Sequence, residues 1–215
     1  MRGIGMKIVV LGPTGGTGEQ VVRQAVAAGH DVTAVARRPE AVTEPGVDVR
    51  RGDVLDPGSL RGAFDGADAV VSALGSGAGR APTELYSRGI RNTRGAMADV
   101  GVRRLVVLSA VPASRPAEKT FLERRLVHPL LHLLFGGGYD DMRRMEADLR
   151  AADDVDWTVI RPPRLLDRPA TGTYRSSVDG PLRGATSIRR ADLAAAVLAA
   201  VEDRALHGKV MVVAR

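Results

Sequence analysis

The sequence contains no cysteine, which excludes disulfide bonds, thiolate nucleophiles and thiolate metal sites. Aromatic residues make up only 3% of the 215 residues, so the chain offers few surfaces for stacking the bases of a single-stranded nucleic acid. The longest apolar run, residues 130–135, is interrupted by His132 and is far shorter than the roughly 20 residues that cross a bilayer. We therefore expect a cytoplasmic protein with no membrane contact.

Lysine is also scarce, because 28 of the 31 basic residues are arginine and three are lysine. The net charge is +6, and a basic excess is typical of nucleic-acid binding when it is clustered on one face. Here the arginine pairs fall in different predicted elements, and no recognition motif accompanies them. We expect a small-molecule partner and no nucleic acid.

Apolar, β-branched runs alternate with helical segments along most of the chain. Runs that are apolar almost throughout indicate strands buried on both faces, so the pattern predicts an α/β fold with a doubly wound parallel sheet. We predict a single domain over residues 1–215, with a small substrate-side region at about 162–190 that is rich in Pro, Gly and Thr. Gly29 and Gly101 are expected to end helices. The predicted strands are 7–11, 31–36, 47–51, 69–73, 104–109, 157–160 and 209–213, and the predicted helices are 19–28, 60–64, 85–100, 142–151 and 192–201.

A glycine motif joins the first predicted strand to the first helix. Gly12, Gly15 and Gly18 stand in a G-x-x-G-x-x-G spacing, in which the first permits a tight turn, the second a close ligand approach and the third helix–strand packing. The phosphates of a dinucleotide would meet free N–H groups at the start of the helix. The expected cofactor-binding residues of this loop are Gly12, Thr14, Gly15, Gly16, Thr17 and Gly18.

The end of the second strand indicates which dinucleotide is bound. A carboxylate about 20 residues after the motif would bind the ribose 2′-hydroxyl of NAD, but Arg37 and Arg38 follow Ala36 at this place. Guanidinium groups pair with a 2′-phosphate, so we predict NADP(H) as the cofactor, bound through Arg37. Arg38 is a second candidate contact, and a solvated surface charge is the alternative for either side chain.

Several motifs together resemble one known family. In order, GPTGGTG, ARR, GDVLDP, ADAVVSALG, RLVVLSA and DWTVIRPP are similar to an atypical short-chain dehydrogenase/reductase of the NmrA-like group, and most to its biliverdin-IXβ reductase/flavin reductase members. The similarity continues through SIRRADLAAAV and covers nearly the whole chain. It implies that Asp53 and Val54 flank the adenine, that Ala73, Leu74 and Gly75 contact the adenosine ribose, and that the segment from Pro162 to Arg164 lies at the nicotinamide end.

The catalytic pair of ordinary short-chain dehydrogenases is incomplete in this sequence. Their Tyr-x-x-x-Lys places a lysine charge one helical turn from a phenol, which lowers its pKa for proton exchange with substrate. Tyr139 is followed at that spacing by Arg143. Tyr139 stays a candidate acid, with a packing role as the alternative. The resemblance makes Ser109 a substrate-facing hydroxyl, although a small residue at a strand end also simply makes room.

His128 and His132 lie four residues apart, a spacing that two zinc ligands on a helix can have. Pro129 stands between them and no third ligand follows in a clear pattern, so we expect no metal. The apolar residues around them suit a lid over a substrate site or the contact face of a homodimer, and the chain is expected to be a monomer or homodimer.

Two functions fit these observations. The first is an NADPH-dependent reductase that transfers hydride to a conjugated acceptor such as a flavin, quinone or tetrapyrrole, which needs no Tyr-Lys relay. The second is a non-catalytic, redox-sensing regulator that binds NADP(H). A sugar-nucleotide epimerase or dehydratase is disfavoured by the missing lysine and the short C-terminal region.

Overall fold

Ten strands are present in the part of the protein that the structure, a computed structural model, describes: residues 5–75, 81–113 and 128–215, with the backbone alone for 128–136. They are β1 (Lys7–Leu11), β2 (Asp31–Ala36), β3 (Asp48–Arg51), β4 (Ala69–Ser72), β5 (Arg104–Leu108), β6 (Asp156–Arg161), β7 (Arg164–Leu166), β8 (Arg175–Val178), β9 (Ser187–Arg189) and β10 (Lys209–Ala214).

Eight of these strands form one sheet in the order β3-β2-β1-β4-β5-β6-β10-β8. Every pairing in it is parallel except that of β8 with β10, while β7 and β9 form a separate parallel pair. The predicted α/β fold with a doubly wound sheet is confirmed. The strand order reverses between β1 and β4, and in such sheets the crevice beyond the carboxyl ends of these two strands receives the ligand.

Helices cover both faces of the sheet. They are α1 (Gly16–Ala27), α2 (Ser87–Ala98), α3 (His128–Arg150) and α4 (Arg190–Glu202). Successive residues of β1 point to opposite faces, so Ile8 and Val10 join the core beneath α1 and α4, whereas Val9 and Leu11 join the core beneath α2 and α3. Within the described ranges, no helix is long and apolar enough to cross a membrane.

Arg104 of β5 connects the sheet to the end of α4. Its buried guanidinium donates to the carbonyl oxygens of Ala200 and Val201, the latter at 3.1 Å, and to Thr158 Oγ1 at 2.8 Å. Burial lowers its pKa to about 10, which leaves the side chain charged at neutral pH. The cation therefore binds the free carbonyls at the helix C-terminus, where the helix dipole favours positive charge.

The two predicted helix ends are confirmed, because Gly29 and Gly101 have φ angles of +86° and +75°. The predicted helix 60–64 is wrong: a 3-10 turn at Pro57–Leu60 is followed by turns, since this Gly-rich segment has few residues that favour a helix. The predicted helix 142–151 is only the last part of α3. The sequence analysis missed the short strands β7, β8 and β9, whose residues carry no clear alternation.

Candidate functional site

The loop after β1 is shaped by two glycines that touch neighbouring backbone. Gly12 has a φ of +75°, and a Cβ added to it would lie 2.7 Å from the Ala73 carbonyl oxygen that follows β4. A Cβ on Gly18 would lie 2.1 Å from the Gly12 carbonyl oxygen. Any side chain at either position would force the backbone apart, so these two glycines allow β1, α1 and β4 to approach one another closely.

Gly15 is different, because the protein itself leaves room beside it. A Cβ on Gly15 would meet only the Gly12 carbonyl oxygen, at an ordinary contact distance of 3.6 Å. Gly15 is the N-cap of α1, whose first intrahelical hydrogen bond is donated by Glu19 N to Gly15 O at 2.8 Å. The N–H groups of residues 16–18 thus have no acceptor in the helix, and Thr14, Gly15 and Gly16 are exposed above them. The loop offers hydrogen-bond donors on an open glycine surface.

Arg37 and Arg38 directly follow β2, at the same edge of the sheet as the glycine loop. Both side chains are exposed, and within the part of the chain described neither guanidinium makes a hydrogen bond or ion pair. The nearby residue Glu40 is exposed on the following 3-10 turn. Two cations with no counter-ion among the described residues therefore lie at the place where the sequence predicts the 2′-phosphate.

The predicted adenosine-side residues follow β3 and β4. Asp53 is half-buried and its Oδ1 accepts a hydrogen bond from Leu55 N at 2.9 Å, so the carboxylate stabilises a local turn. Val54 is buried against α2, and its carbonyl oxygen accepts a hydrogen bond from Asn92 Nδ2 at 2.8 Å. Ala73 is buried, Leu74 half-buried and Gly75 exposed, so the chain runs from the core out to the crevice over these three residues.

A buried polar network lies at the carboxyl ends of β5 and β6. Ser109 Oγ is 2.7 Å from Glu146 Oε1 of α3, and the Arg161 guanidinium binds the same carboxylate through Nε at 2.9 Å and Nη2 at 2.5 Å. Glu146 and Arg161 are almost completely buried, with side chains 2% and 4% exposed. Arg150 is a third residue in contact with this carboxylate, from Nη2 to Glu146 Oε2 at 3.1 Å. Pro162 follows Arg161, is buried, and accepts a hydrogen bond from Val111 N at 3.0 Å.

This network determines what the Ser109 hydroxyl is able to do. An ionised carboxylate only accepts hydrogen bonds, so the single Ser109 proton is directed at Glu146. The remaining lone pairs of the oxygen accept hydrogen bonds but do not supply a proton. In this arrangement Ser109 lies where the sequence predicts it, at the end of β5, with its proton facing the protein. Its role toward a substrate stays a prediction.

Tyr139 lies on α3, half-buried. Burial raises the pKa of its phenol above the ordinary value of 10.0, and the neighbouring Tyr86 acts in the same direction. The Arg143 guanidinium, which follows at the spacing of the relay lysine, is paired with Asp140. A paired cation does little to stabilise a phenolate, so Tyr139 keeps its proton at neutral pH.

The amino-acid sequence also matches a family of known proteins. The family described as NAD(P)H-binding matches residues 12–204, from the first glycine of the motif to the 3-10 turn after α4. The chain belongs to this NAD(P)H-binding family. The family assignment agrees with the resemblance to atypical short-chain dehydrogenases/reductases, whereas the most similar subgroup stays a prediction.

Two relatives of the protein extend along nearly all of it. A (4-alkanoyl-5-oxo-2,5-dihydrofuran-3-yl)methyl phosphate reductase of Streptomyces griseus is 30% identical over 94% of this chain, which covers 65% of that enzyme. An uncharacterized protein of Bacillus subtilis is 28% identical, and the match covers 92% of each chain. The protein is thus similar to a reductase that is longer than itself.

Solved structures show the same fold at low sequence identity. An oxidoreductase of Lactococcus lactis superposes with a TM-score of 0.83 at 22% identity, over 98% of this chain and 91% of the other. A short-chain dehydrogenase/reductase of Veillonella parvula, solved in complex with NADP, superposes with a TM-score of 0.77 at 18% identity, over 99% of this chain and 95% of the other. At these identities the comparison supports the Rossmann architecture alone.

The site fits the family's NAD(P)H cofactor. The glycine loop leaves an open backbone surface at the start of α1, where N–H groups without an acceptor in the helix would bind phosphates. Residues at the carboxyl ends of β1, β2 and β4 would hold the cofactor from its phosphates to its adenosine half. No cluster of metal-binding side chains occurs among the described residues, and the side chains of His128 and His132 lie outside them.

Two parts of the site were missed from the sequence. The Glu146–Arg161 pair joins residues 15 positions apart that lie on a helix and a strand, and no local sequence pattern links them. Arg190, the first residue of α4, contacts the glycine loop from 173 residues away, at Thr17. The segment SIRRADLAAAV was recognised only as part of the resemblance, because nothing in its composition indicates which arginine faces the loop.

Proposed function

We propose that this protein is an NADPH-dependent reductase whose acceptor is a planar conjugated molecule of the flavin, quinone or tetrapyrrole type. The observation that carries the proposal is the state of its candidate proton donors. Burial raises the pKa of Tyr139 and so makes its phenol a weaker acid, Arg143 is paired with Asp140, and the Ser109 proton faces Glu146. The described residues therefore provide no relay of the Tyr-Lys kind.

This arrangement suits one class of acceptor. The reduced nicotinamide of the bound cofactor supplies a hydride. A conjugated acceptor delocalises the resulting negative charge over its ring system and takes its proton from water, so the protein has only to bind and orient it. Reduction of an isolated carbonyl instead needs a positioned acid in the transition state. The related Streptomyces griseus reductase supports a reductive reaction without specifying the acceptor.

The preference for NADPH over NADH rests on Arg37 and Arg38. Both guanidinium groups are exposed at the carboxyl end of β2 and have no counter-ion among the described residues. A 2′-phosphate forms charge-assisted hydrogen bonds with such groups, whereas the 2′-hydroxyl of NADH gains little from them.

We expect Arg37→Asp to weaken NADPH binding by about 10- to 100-fold, because it replaces a charge-assisted hydrogen bond with charge repulsion. NADH binding should change by less than about threefold, since NADH lacks the phosphate. Isothermal titration calorimetry with both nucleotides measures the two dissociation constants.

Arg183→Asp is the matched control for this experiment. It makes the same change of charge at an exposed position beside β8, at the edge of the sheet opposite to β3. It should leave the dissociation constant of NADPH within about twofold. Equal weakening by both variants would assign the effect to net charge alone, and unchanged NADPH binding by Arg37→Asp would remove Arg37 from the site.

We expect the purified protein to oxidise NADPH in the presence of flavins or quinones, and Tyr139→Phe to slow this reaction by less than about tenfold. Removal of a residue that acts as general acid would instead lower the rate by about 100- to 10,000-fold. Because the pKa of Tyr139 lies above 10.0, its ionisation should cause no break in the rate between about pH 6 and pH 9. The decrease in NADPH absorbance with time, followed at a series of pH values, measures both the effect of Tyr139→Phe on the rate and the pH dependence of the rate.

A regulator that binds NADP(H) without turnover is the second candidate. It is favoured by the Ser109–Glu146–Arg161 network, in which each polar group has a partner within the protein, as in a purely structural cluster. Binding of NADPH without oxidation by any flavin or quinone would support the regulator. A rate that falls more than about 100-fold in Tyr139→Phe would instead indicate an acid-assisted carbonyl reduction.

A further inference from the structure

Arg190 extends from the start of α4 across the glycine loop. A Cβ built on Gly16 would lie 3.0 Å from both Cδ and Nε of Arg190, and 3.5 Å from its Cζ. Arg190 Nη1 donates a hydrogen bond to Thr17 Oγ1 at 3.2 Å. The guanidinium thus lies over the first turn of α1, and Gly16 provides the space for it.

The other side of the same guanidinium is attached to the substrate-side region. Arg190 Nε is 2.6 Å from Asp167 Oδ1, in the segment after β7. Two residues further along α4, the buried Asp192 accepts hydrogen bonds from Thr171 N at 2.9 Å and Gly172 N at 3.0 Å. The start of α4 is therefore held against this segment, which fixes the position from which Arg190 reaches the loop.

The charges around the loop favour an anion beside Arg190. The Arg190 side chain is 29% exposed, while its partner Asp167 is 79% exposed and so gives up little when the ion pair is broken. Glu19, the acidic residue in the first turn of α1, is paired with Arg23 at 2.7 Å. The N–H groups of residues 16–18, which have no acceptor in the helix, and the Arg190 guanidinium thus lie together at the first turn of α1.

We propose that Arg190 is a ligand of the cofactor pyrophosphate, acting with the backbone N–H groups at the start of α1. This inference rests on the NADPH binding proposed above. Helix N–H groups supply partial positive charge, and Arg190 adds a full charge with paired donors that match phosphate oxygens. On binding, Arg190 exchanges its contacts with Thr17 and Asp167 for contacts with phosphate.

The test compares two ligands that share the 2′-phosphate and differ in the pyrophosphate. We expect Arg190→Met to weaken binding of 2′-phospho-ADP-ribose by about tenfold or more, and binding of 2′-AMP by less than about twofold. Arg190→Lys should fall between Met and Arg, because it keeps the charge and loses the paired donors. Calorimetry suits the first ligand and ligand-observed NMR the weaker second one.

Asp167→Asn is the matched control, because it removes the negative charge that pairs with Arg190 in the segment after β7 and leaves the guanidinium unchanged. It should bind 2′-phospho-ADP-ribose as tightly as the unaltered protein or more tightly. If Asp167→Asn weakened binding of 2′-phospho-ADP-ribose as much as Arg190→Met, the loss of affinity would arise from a change in this segment. That result would overturn the proposal. Equal loss of both ligands in Arg190→Met, or no loss of either, would also overturn it.

These outcomes are separate from those of the reductase proposal. Ligand binding requires no turnover, so a protein that binds NADPH through Arg190 without oxidising it would support this inference and contradict the reductase. A protein that reduces flavins and is unaffected by Arg190→Met would do the reverse. Thermal unfolding of each variant verifies that the compared proteins are folded.

Discussion

Gly15→Ala should lower the affinity for NADPH by about 10- to 100-fold, because the new methyl group projects into the space that the pyrophosphate needs. The fold itself should tolerate this change. The added Cβ would meet only the Gly12 carbonyl oxygen at 3.6 Å, and the φ of −82° at Gly15 is accessible to alanine. The midpoint of thermal unfolding is expected to stay within about 3 °C, since a poorer N-cap is offset by lower backbone entropy in the unfolded chain.

Gly18→Ala is the variant to compare with it. Its Cβ would lie 2.1 Å from Gly12 O and 3.1 Å from Pro13 Cα, so the loop and the helix would have to move apart. We expect this variant to lose about 1 to 3 kcal/mol of stability together with its NADPH affinity. Measurement of the dissociation constant and the unfolding midpoint for both variants separates the roles of the two glycines. Unaltered NADPH affinity in Gly15→Ala would mean that the phosphates do not approach this loop.

Arg161→Met is expected to be the most destabilising of the substitutions considered. It leaves Glu146 buried without its main counter-ion, and loss of one partner of a buried pair costs about 3 to 5 kcal/mol. Arg150, at 3.1 Å from the same carboxylate, should keep the loss near the lower end of this range. For a domain of this size, the unfolding midpoint should fall by about 10 °C.

A double variant shows whether the charge or the packing is responsible. Glu146→Met combined with Arg161→Met removes both charges, so much of the lost stability should return, apart from the cost of leaving the Ser109 hydroxyl without its acceptor. Chemical denaturation of the two single variants and the double variant gives the coupling energy between Glu146 and Arg161. Equal destabilisation by the single and double variants would indicate that the pair contributes through shape rather than through charge.

The central strands of the doubly wound sheet were predictable because they are short, largely apolar and buried on both faces. The predicted bounds of β1 and β2 are the same as those observed, and β6 was predicted one residue too short at each end. Gly12, Gly15 and Gly18 were predictable as well, since their spacing reflects a local turn between one strand and one helix. In both cases the physical cause lies within about ten residues of chain.

The substrate-side region was much less predictable. β8 pairs with β10, more than thirty residues further along the chain, and β7 pairs with β9 across some twenty residues. Arg175–Val178 is mostly exposed, and β7 and β9 are three residues each, so none of these strands has the apolar pattern that marked the central sheet. Their hydrogen bonds depend on partners that approach only when the chain is folded.

By itself, the sequence determined the architecture and predicted the place of the cofactor, because strand burial and glycine spacing are local properties. Only the tertiary structure decided which charges meet. It turned the Ser109 hydroxyl toward a buried Glu146–Arg161 pair and placed Arg190 over the first turn of α1. A side chain's partner is set by distance in space, and for long polar side chains such as arginine, sequence separation carries almost no information about that distance.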